Sequence, residues 1–277
     1  MRILYFGKRH FILFLLSAML LLSTLYAHDA THKLADKIIV VDASHGGINP
    51  GANRPGVLEK DINLAIALEL KNILNQYGAK VVLSRQADVE LSDECDNEKV
   101  HRDLVARVEM VEESDADLFV SIHANAVANA VANAVANAKR HGAEAFFSAK
   151  SETGKALATS IQTALCTVTQ ASRTAKAADY FVLRRNKIPA ALVEVGYITN
   201  IEERLLLQTP EYQRKIVEAI AQGIYQFFNK GNLQHTQSFD SKARGIYRSA
   251  WLIAIEVLGS FCPPDKTAAS IAESSAH

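Results

Sequence analysis

The chain has 277 residues, with 30 basic and 30 acidic side chains and a formal net charge of zero. That balance excludes a broadly cationic nucleic-acid-binding domain, and 49% hydrophobic residues with only 6 Pro exclude a disordered or collagen-like chain. The 3 cysteines, Cys95, Cys166 and Cys262, are too few for a disulfide-dense scaffold and form no CxxC pair.

The first element in chain order reads as an export signal. Arg2, Lys8 and Arg9 precede a stretch from Phe11 to Tyr26 that has no charged residue, and the small residue Ala27 follows. A basic flank, an apolar run and a small residue make up the signal-peptide pattern. The run is shorter than the roughly 20 residues that cross a bilayer. Residues 1–27 are therefore expected to be a signal peptide, or a membrane anchor if they are not cleaved, and residues 28–36 a linker.

From Lys37 onward, strand-like and helix-like segments alternate. Ile38–Asp42, Lys80–Ser84, Asp117–His123, Ala143–Ser148, Phe181–Leu183 and Ala190–Val195 are short and rich in Val, Ile and Phe, as buried strands are. Asp61–Tyr77, Asp103–Glu113, Lys155–Thr167 and Pro210–Asn229 read as helices. Gly78 supplies a stop for the first, and Thr209-Pro210 a start for the last. That last helix places Tyr212, Ile216, Ile220, Ile224 and Phe227 on one face. The alternation predicts an α/β fold, a mostly parallel twisted sheet with helices on both faces. Two stretches fall outside this pattern. Residues 124–139 spell ANAV-ANAV-ANAV-ANAK, a tandem repeat too short for a solenoid, and read as an expanded surface loop. Residues 232–277 form a tail whose one apolar block, Ala250 to Cys262, is interrupted by Glu256 and too short to span a membrane.

Four ionisable residues stand where α/β folds build their sites, near the carboxyl ends of strands or at a helix start. His45 closes the first strand in Asp42-Ala-Ser-His-Gly-Gly, Glu59 lies just before the first helix, and His123 closes the strand Val120-Ser-Ile-His. Glu194 sits inside the apolar run Leu192-Val-Glu-Val. Two His and one carboxylate with an open fourth position make a catalytic zinc site, and His45 and His123 converge if their strands are neighbours. Each residue alone has an ordinary reading. A strand-end His is commonly a hydrogen-bonded surface group, and Glu59 would complement a helix dipole. Glu194 fits a structural salt bridge as well as a catalytic carboxylate, since carboxylates are almost never buried unpaired. Glu144 reads as structural, and His28, His32, His101 and His141 as solvated. Ser44 and Cys166 make weak nucleophiles, with no GxSxG elbow and no His near Cys166 in sequence.

Together these segments resemble the zinc-dependent N-acetylmuramoyl-L-alanine amidases of the Amidase_3 type, from about Lys37 to Lys230. The matching motifs are Ile39-Val-Val-Asp-Ala-Ser-His-Gly-Gly, Leu58-Glu-Lys-Asp-Ile-Asn-Leu-Ala, Ala116-Asp-Leu-Phe-Val-Ser-Ile-His-Ala-Asn, Gly142-Ala-Glu-Ala-Phe-Phe and Ala191-Leu-Val-Glu-Val-Gly-Tyr-Ile-Thr-Asn. The resemblance implies an amidase/phosphorylase-like catalytic domain over 37–231, with one Zn²⁺ per chain held by His45, Glu59 and His123. It implies hydrolysis of the amide between the muramic acid lactyl group and L-alanine in peptidoglycan, by a zinc-bound water with Glu194 as general base. The alternatives are a zinc peptidase that cuts within the stem peptide and a non-catalytic wall-binding module. The segment Asp103-Leu-Val-Ala-Arg-Val is similar to one in the sporulation and germination subgroup. That subgroup implies an exported enzyme of the cell wall, periplasm or forespore intermembrane space, a deacetylase acting in the same pathway, and a regulatory protein. The family's Pro-Gly before the first His is Ala43-Ser44 here, which alters the loop but removes no ligand.

Overall fold

The computed structural model describes residues 34–92, 99–126 and 140–229, together with Ser17. The expected export signal, most of the linker and of the four-residue repeat, the tail, Cys95 and Cys262 lie outside the described residues.

The elements in chain order are β1 (Ile38–Ala43), β2 (Asn53–Arg54), β3 (Val57–Leu58), α1 (Glu59–Gln76), β4 (Lys80–Leu83), α2 (Lys99–Glu113) and β5 (Leu118–Asn125). They continue with β6 (Glu144–Phe147), α3 (Glu152–Thr169), β7 (Lys176–Ala177), α4 (Phe181–Arg185), β8 (Ala190–Tyr197), α5 (Ile201–Leu207) and α6 (residues 210–229). The main sheet has the order β4-β1-β5-β8-β6-β7. β4, β1, β5 and β8 run parallel, and β6 is antiparallel to β8.

Helices cover both faces, because the central strands are apolar on both sides. On one face Val41, Val120 and Val193 pack with Ile66 and Leu70 of α1, Leu157 and Ile161 of α3, and Ile216, Ile220 and Ile224 of α6. On the other, Val40, Phe119 and Leu192 pack with Val111 of α2 and Val182 and Leu183 of α4. The expected α/β architecture is therefore present.

Three local details differ from the sequence expectation. Phe181–Leu183 is not a strand but the start of α4, where the Tyr180 carbonyl accepts from the N–H groups of Leu183 and Arg184. Three apolar residues in a row carry neither period, so packing against α2 decides the outcome. Lys176–Ala177 is an edge strand, exposed and without an apolar signature. α5 is capped by Asn200, whose Oδ1 accepts from the N–H groups of Glu202 and Glu203.

One irregularity matters below. Between β5 and β8, His123 pairs with Glu194, but Asn125 pairs with Tyr197, so β8 carries one extra residue there.

Candidate metal centre

Two buried arginines shape the loop that carries His45. Arg85 donates from Nε to the Ala43 carbonyl at 2.8 Å and from Nη2 to the carbonyls of Ser44 at 3.2 Å and Lys60 at 2.7 Å. Arg107, 1% exposed, pairs with Asp42 through Nη1 and with Asp103 through Nε at 2.8 Å. It also donates to the carbonyls of Ala43 at 3.1 Å and His45 at 3.0 Å. A guanidinium presents five donors in a rigid plane, so two of them fix three consecutive carbonyls. The Ala43-Ser44 departure is accommodated within this frame. His45 lies two residues beyond the end of β1, with φ 62°, and not on the strand.

The turn in φ aims the His45 ring at the start of α1. His45 Nε2 lies 3.2 Å from Glu59 Oε1, and His123 Nδ1 lies 3.1 Å from the same oxygen. A tetrahedral zinc with bonds of about 2.0–2.1 Å places its ligand atoms roughly 3.3 Å apart, so these separations fit. His45, Glu59 and His123 offer ligand atoms all within 4.8 Å of one another, a group able to hold a metal ion. The tautomer agrees. Asn49 Oδ1 accepts from the Gly51 N–H at 3.1 Å and faces His45 Nδ1 at 3.0 Å, so that nitrogen carries the proton. Nε2 is then the ring nitrogen turned toward Glu59 and left to serve as the ligand atom.

Backbone donors hold Glu59. Ala52 N–H donates to Oε2 at 2.8 Å and Ala124 N–H to Oε1 at 3.2 Å. Burial opposes its charge, yet the bonds from His123 and His45 outweigh that and keep the carboxyl well below its ordinary range. Gly51 closes the pocket at φ 65°; a Cβ there would stand 2.6 Å from Glu59 Oε2 and 2.7 Å from His45 Cδ2.

Glu194 sits on β8 opposite His123 and is 9% exposed. Its Oε2 is buried without a hydrogen-bond partner among the described residues. Burial pushes its pKa up to about 7, against the pull of His123 and with help from Glu59 and Glu144. The structure thus brings all four expected residues to one end of the sheet. Glu144, opposite Glu194 on β6, is indeed fully engaged. It accepts from Tyr197 Oη at 2.6 Å, Lys176 Nζ at 2.5 Å and Arg173 Nη1 at 2.6 Å. His101 packs its ring against Phe181 at 5.2 Å, and His141 is exposed. Cys166 is a free thiol donating to the Arg173 carbonyl at 3.4 Å. Asn49, Gly51, Arg85 and the structural role of Arg107 were not legible in the sequence. The one signal was the spacing of Asn49 four residues after His45.

A profile of the N-acetylmuramoyl-L-alanine amidase family matches residues 39–226. The chain belongs to that family. Among its relatives is the germination-specific N-acetylmuramoyl-L-alanine amidase of Bacillus subtilis, 34% identical over 202 residues, covering 71% of this chain and 82% of the relative. The amidase AmiA of Escherichia coli is 31% identical over 240 residues, covering 70% and 76% of the two chains. A solved structure of the CwlD amidase from Clostridioides difficile, in complex with the GerS lipoprotein, superposes with a TM-score of 0.64 at 36% identity. It covers 70% of this chain and 99% of that one. The amidase family is generally zinc-dependent, in keeping with the donor set of two imidazoles and a carboxylate.

Proposed function

We propose that this amidase hydrolyses the amide between the muramic acid lactyl group and L-alanine of peptidoglycan, with His45, Glu59 and His123 holding one zinc ion and Glu194 as general base. The observation that carries the reading is the buried, unpartnered Oε2 of Glu194 beside a three-donor cluster. When bound, the zinc supplies Lewis acidity, polarising the amide carbonyl and acidifying the attacking water.

The chain's own residues do the rest. Glu194 Oε2 takes the proton of the attacking water, because no donor among the described residues competes for that oxygen. It holds the proton at a buried position and returns it to the departing amine nitrogen. Asn49, through His45 Nδ1, and the backbone N–H groups of Ala52 and Ala124, through Glu59, keep the donor set oriented.

The proposal also assigns 1–27 to export, 37–231 to the catalytic domain, and the site of action to the cell wall or spore cortex, in line with the germination-specific relative. A lipoprotein is the proposed class of regulatory partner, since the Clostridioides difficile relative was solved with one. Mass spectrometry of products from purified peptidoglycan, with and without chelator, tests the reading. Intact stem peptides with a free L-alanine amine, lost on chelation, are expected. Fragments cut within the peptide would assign the chain to the zinc peptidases instead.

A further inference from the structure

The order of strands gives the cleft a direction. The metal donors lie on the loop after β1, on α1 and on β5; Glu194 lies on β8; β6 and β7 lie beyond it. A base that hands its proton to the leaving amine stands on the leaving-group side of the cut bond. The released peptide therefore extends over β6 and β7, one or two strand spacings of about 4.8 Å from Glu194. That path ends at an open cavity of about 460 Å³ whose lining includes His141, Ser172, Arg173 and Lys176 and no acidic side chain.

Its two strong cations are not equivalent. Arg173 spends Nε and Nη2 on the His141 carbonyl and Nη1 on Glu144, and its side chain is 21% exposed. Among the described residues Lys176 makes one bond, to Glu144, and its side chain is 55% exposed. An ammonium has three donors, so two remain for a ligand. Glu144 offsets only one of the two positive charges and, being 4% exposed, is beyond the reach of substrate. It also draws the Lys176 ammonium toward the Glu194 end of β6, since Glu144 and Glu194 face each other in register.

We propose that Lys176 binds a free carboxylate on the leaving stem peptide, about two residues from the cut amide, and so selects acidic over amidated peptides. The inference rests on the amidase reading above. Lys176 is a specificity residue, positioned by Glu144 and framed by Arg173.

The test uses two soluble muramyl peptides that differ only in the second peptide residue, a glutamate with its α-carboxyl free in one and amidated in the other. A charge-assisted hydrogen bond lost on amidation corresponds to about a tenfold preference of the wild-type kcat/KM for the free acid. Lys176→Met should bring that ratio to about one, chiefly through KM, and Lys176→Arg should retain most of it. A wild-type ratio near one overturns the proposal without any variant. So does an equal fall on both substrates in Lys176→Met, which would mean that Lys176 only neutralises Glu144. Failure of the wild type to cut the muramic acid–alanine bond in either peptide would instead overturn the amidase reading.

Discussion

Glu194 stands directly opposite His123 on the neighbouring parallel strand, so one pair of adjacent backbone positions delivers both a candidate metal ligand and a carboxylate whose Oε2 has no hydrogen-bond partner among the described residues. Side chains of paired strand residues project on the same side of the sheet. The distance between the two roles is therefore set by strand spacing, not by a mobile loop. Glu194→Gln keeps this shape and much of its hydrogen-bonding capacity. Zinc content should stay at one per chain, and melting temperature should hold or rise as a desolvated carboxyl is removed. The rate should fall by roughly 10²–10⁴-fold. A folded, zinc-loaded variant with the wild-type rate would refute the catalytic assignment.

The three donors come from separate parts of the chain, and a metal that binds only the folded state stabilises it by mass action. Treatment with chelator should lower the melting temperature, and added zinc should restore it. His45→Ala and His123→Ala should lose both stoichiometric zinc and this response. The readouts are metal analysis and thermal unfolding; a His45→Ala protein that retained one zinc would show that the donor lies elsewhere.

Gly51→Ala attacks the site from behind. The new Cβ would press on the Glu59 carboxylate and the His45 ring, at a φ that L side chains rarely adopt. Zinc affinity should drop by about 10–100-fold, the effect of disturbing groups that orient metal ligands. Circular dichroism should still report the native fold, and competition with a chromophoric chelator measures the affinity.

The Asp42–Arg107 pair, each 1% exposed, anchors the His45 loop to α2. Removing one partner of such a pair costs about 3–5 kcal/mol, so Arg107→Met should unfold at markedly lower denaturant. Burial alone would raise the pKa of Asp42, but Arg107 and the hydroxyls of Ser121 and Ser84 lower it below its ordinary 3.8. A carboxyl whose folded pKa lies below its unfolded value contributes stability above the unfolded pKa and loses it as pH falls through the folded one. The wild type should therefore weaken below about pH 4 in a way that Asp42→Asn does not, as followed by denaturant melts across the acid range.

What the sequence revealed, and what it did not, follows from how each feature is encoded. The sheet was legible because β1, β5 and β8 are runs of Val, Ile and Leu buried on both faces, a signal carried by each strand alone. α6 was legible from the spacing of Ile216, Ile220 and Ile224. His45, Glu59 and His123 could be singled out by residue type and placement. That they meet, however, depends on β1 and β5 being neighbours, which no local pattern states. Arg85 and Arg107 were hidden because exposed and buried arginines look alike in sequence; their burial comes from the carbonyls they serve, contributed by a distant loop. β7 and α4 were missed or misread because two and five residues are too few to show a period.

The extra residue in β8 has a consequence for how the chain can vary. Along a regular strand, positions 194 and 197 would face opposite sides of the sheet, as Leu192 and Val193 do. The bulge cancels that alternation, so the Tyr197 hydroxyl reaches the same Glu144 that faces Glu194. Deleting either Val195 or Gly196 would restore strict pleating and leave Tyr197 on the face of Glu194, two positions on, whereas flattening the bulge at the present length would turn Tyr197 toward the helices of the opposite face. Length and bulge in the span from Glu194 to Tyr197 must therefore vary together: a one-residue change is compatible with this placement of Tyr197 only if the bulge is lost with it.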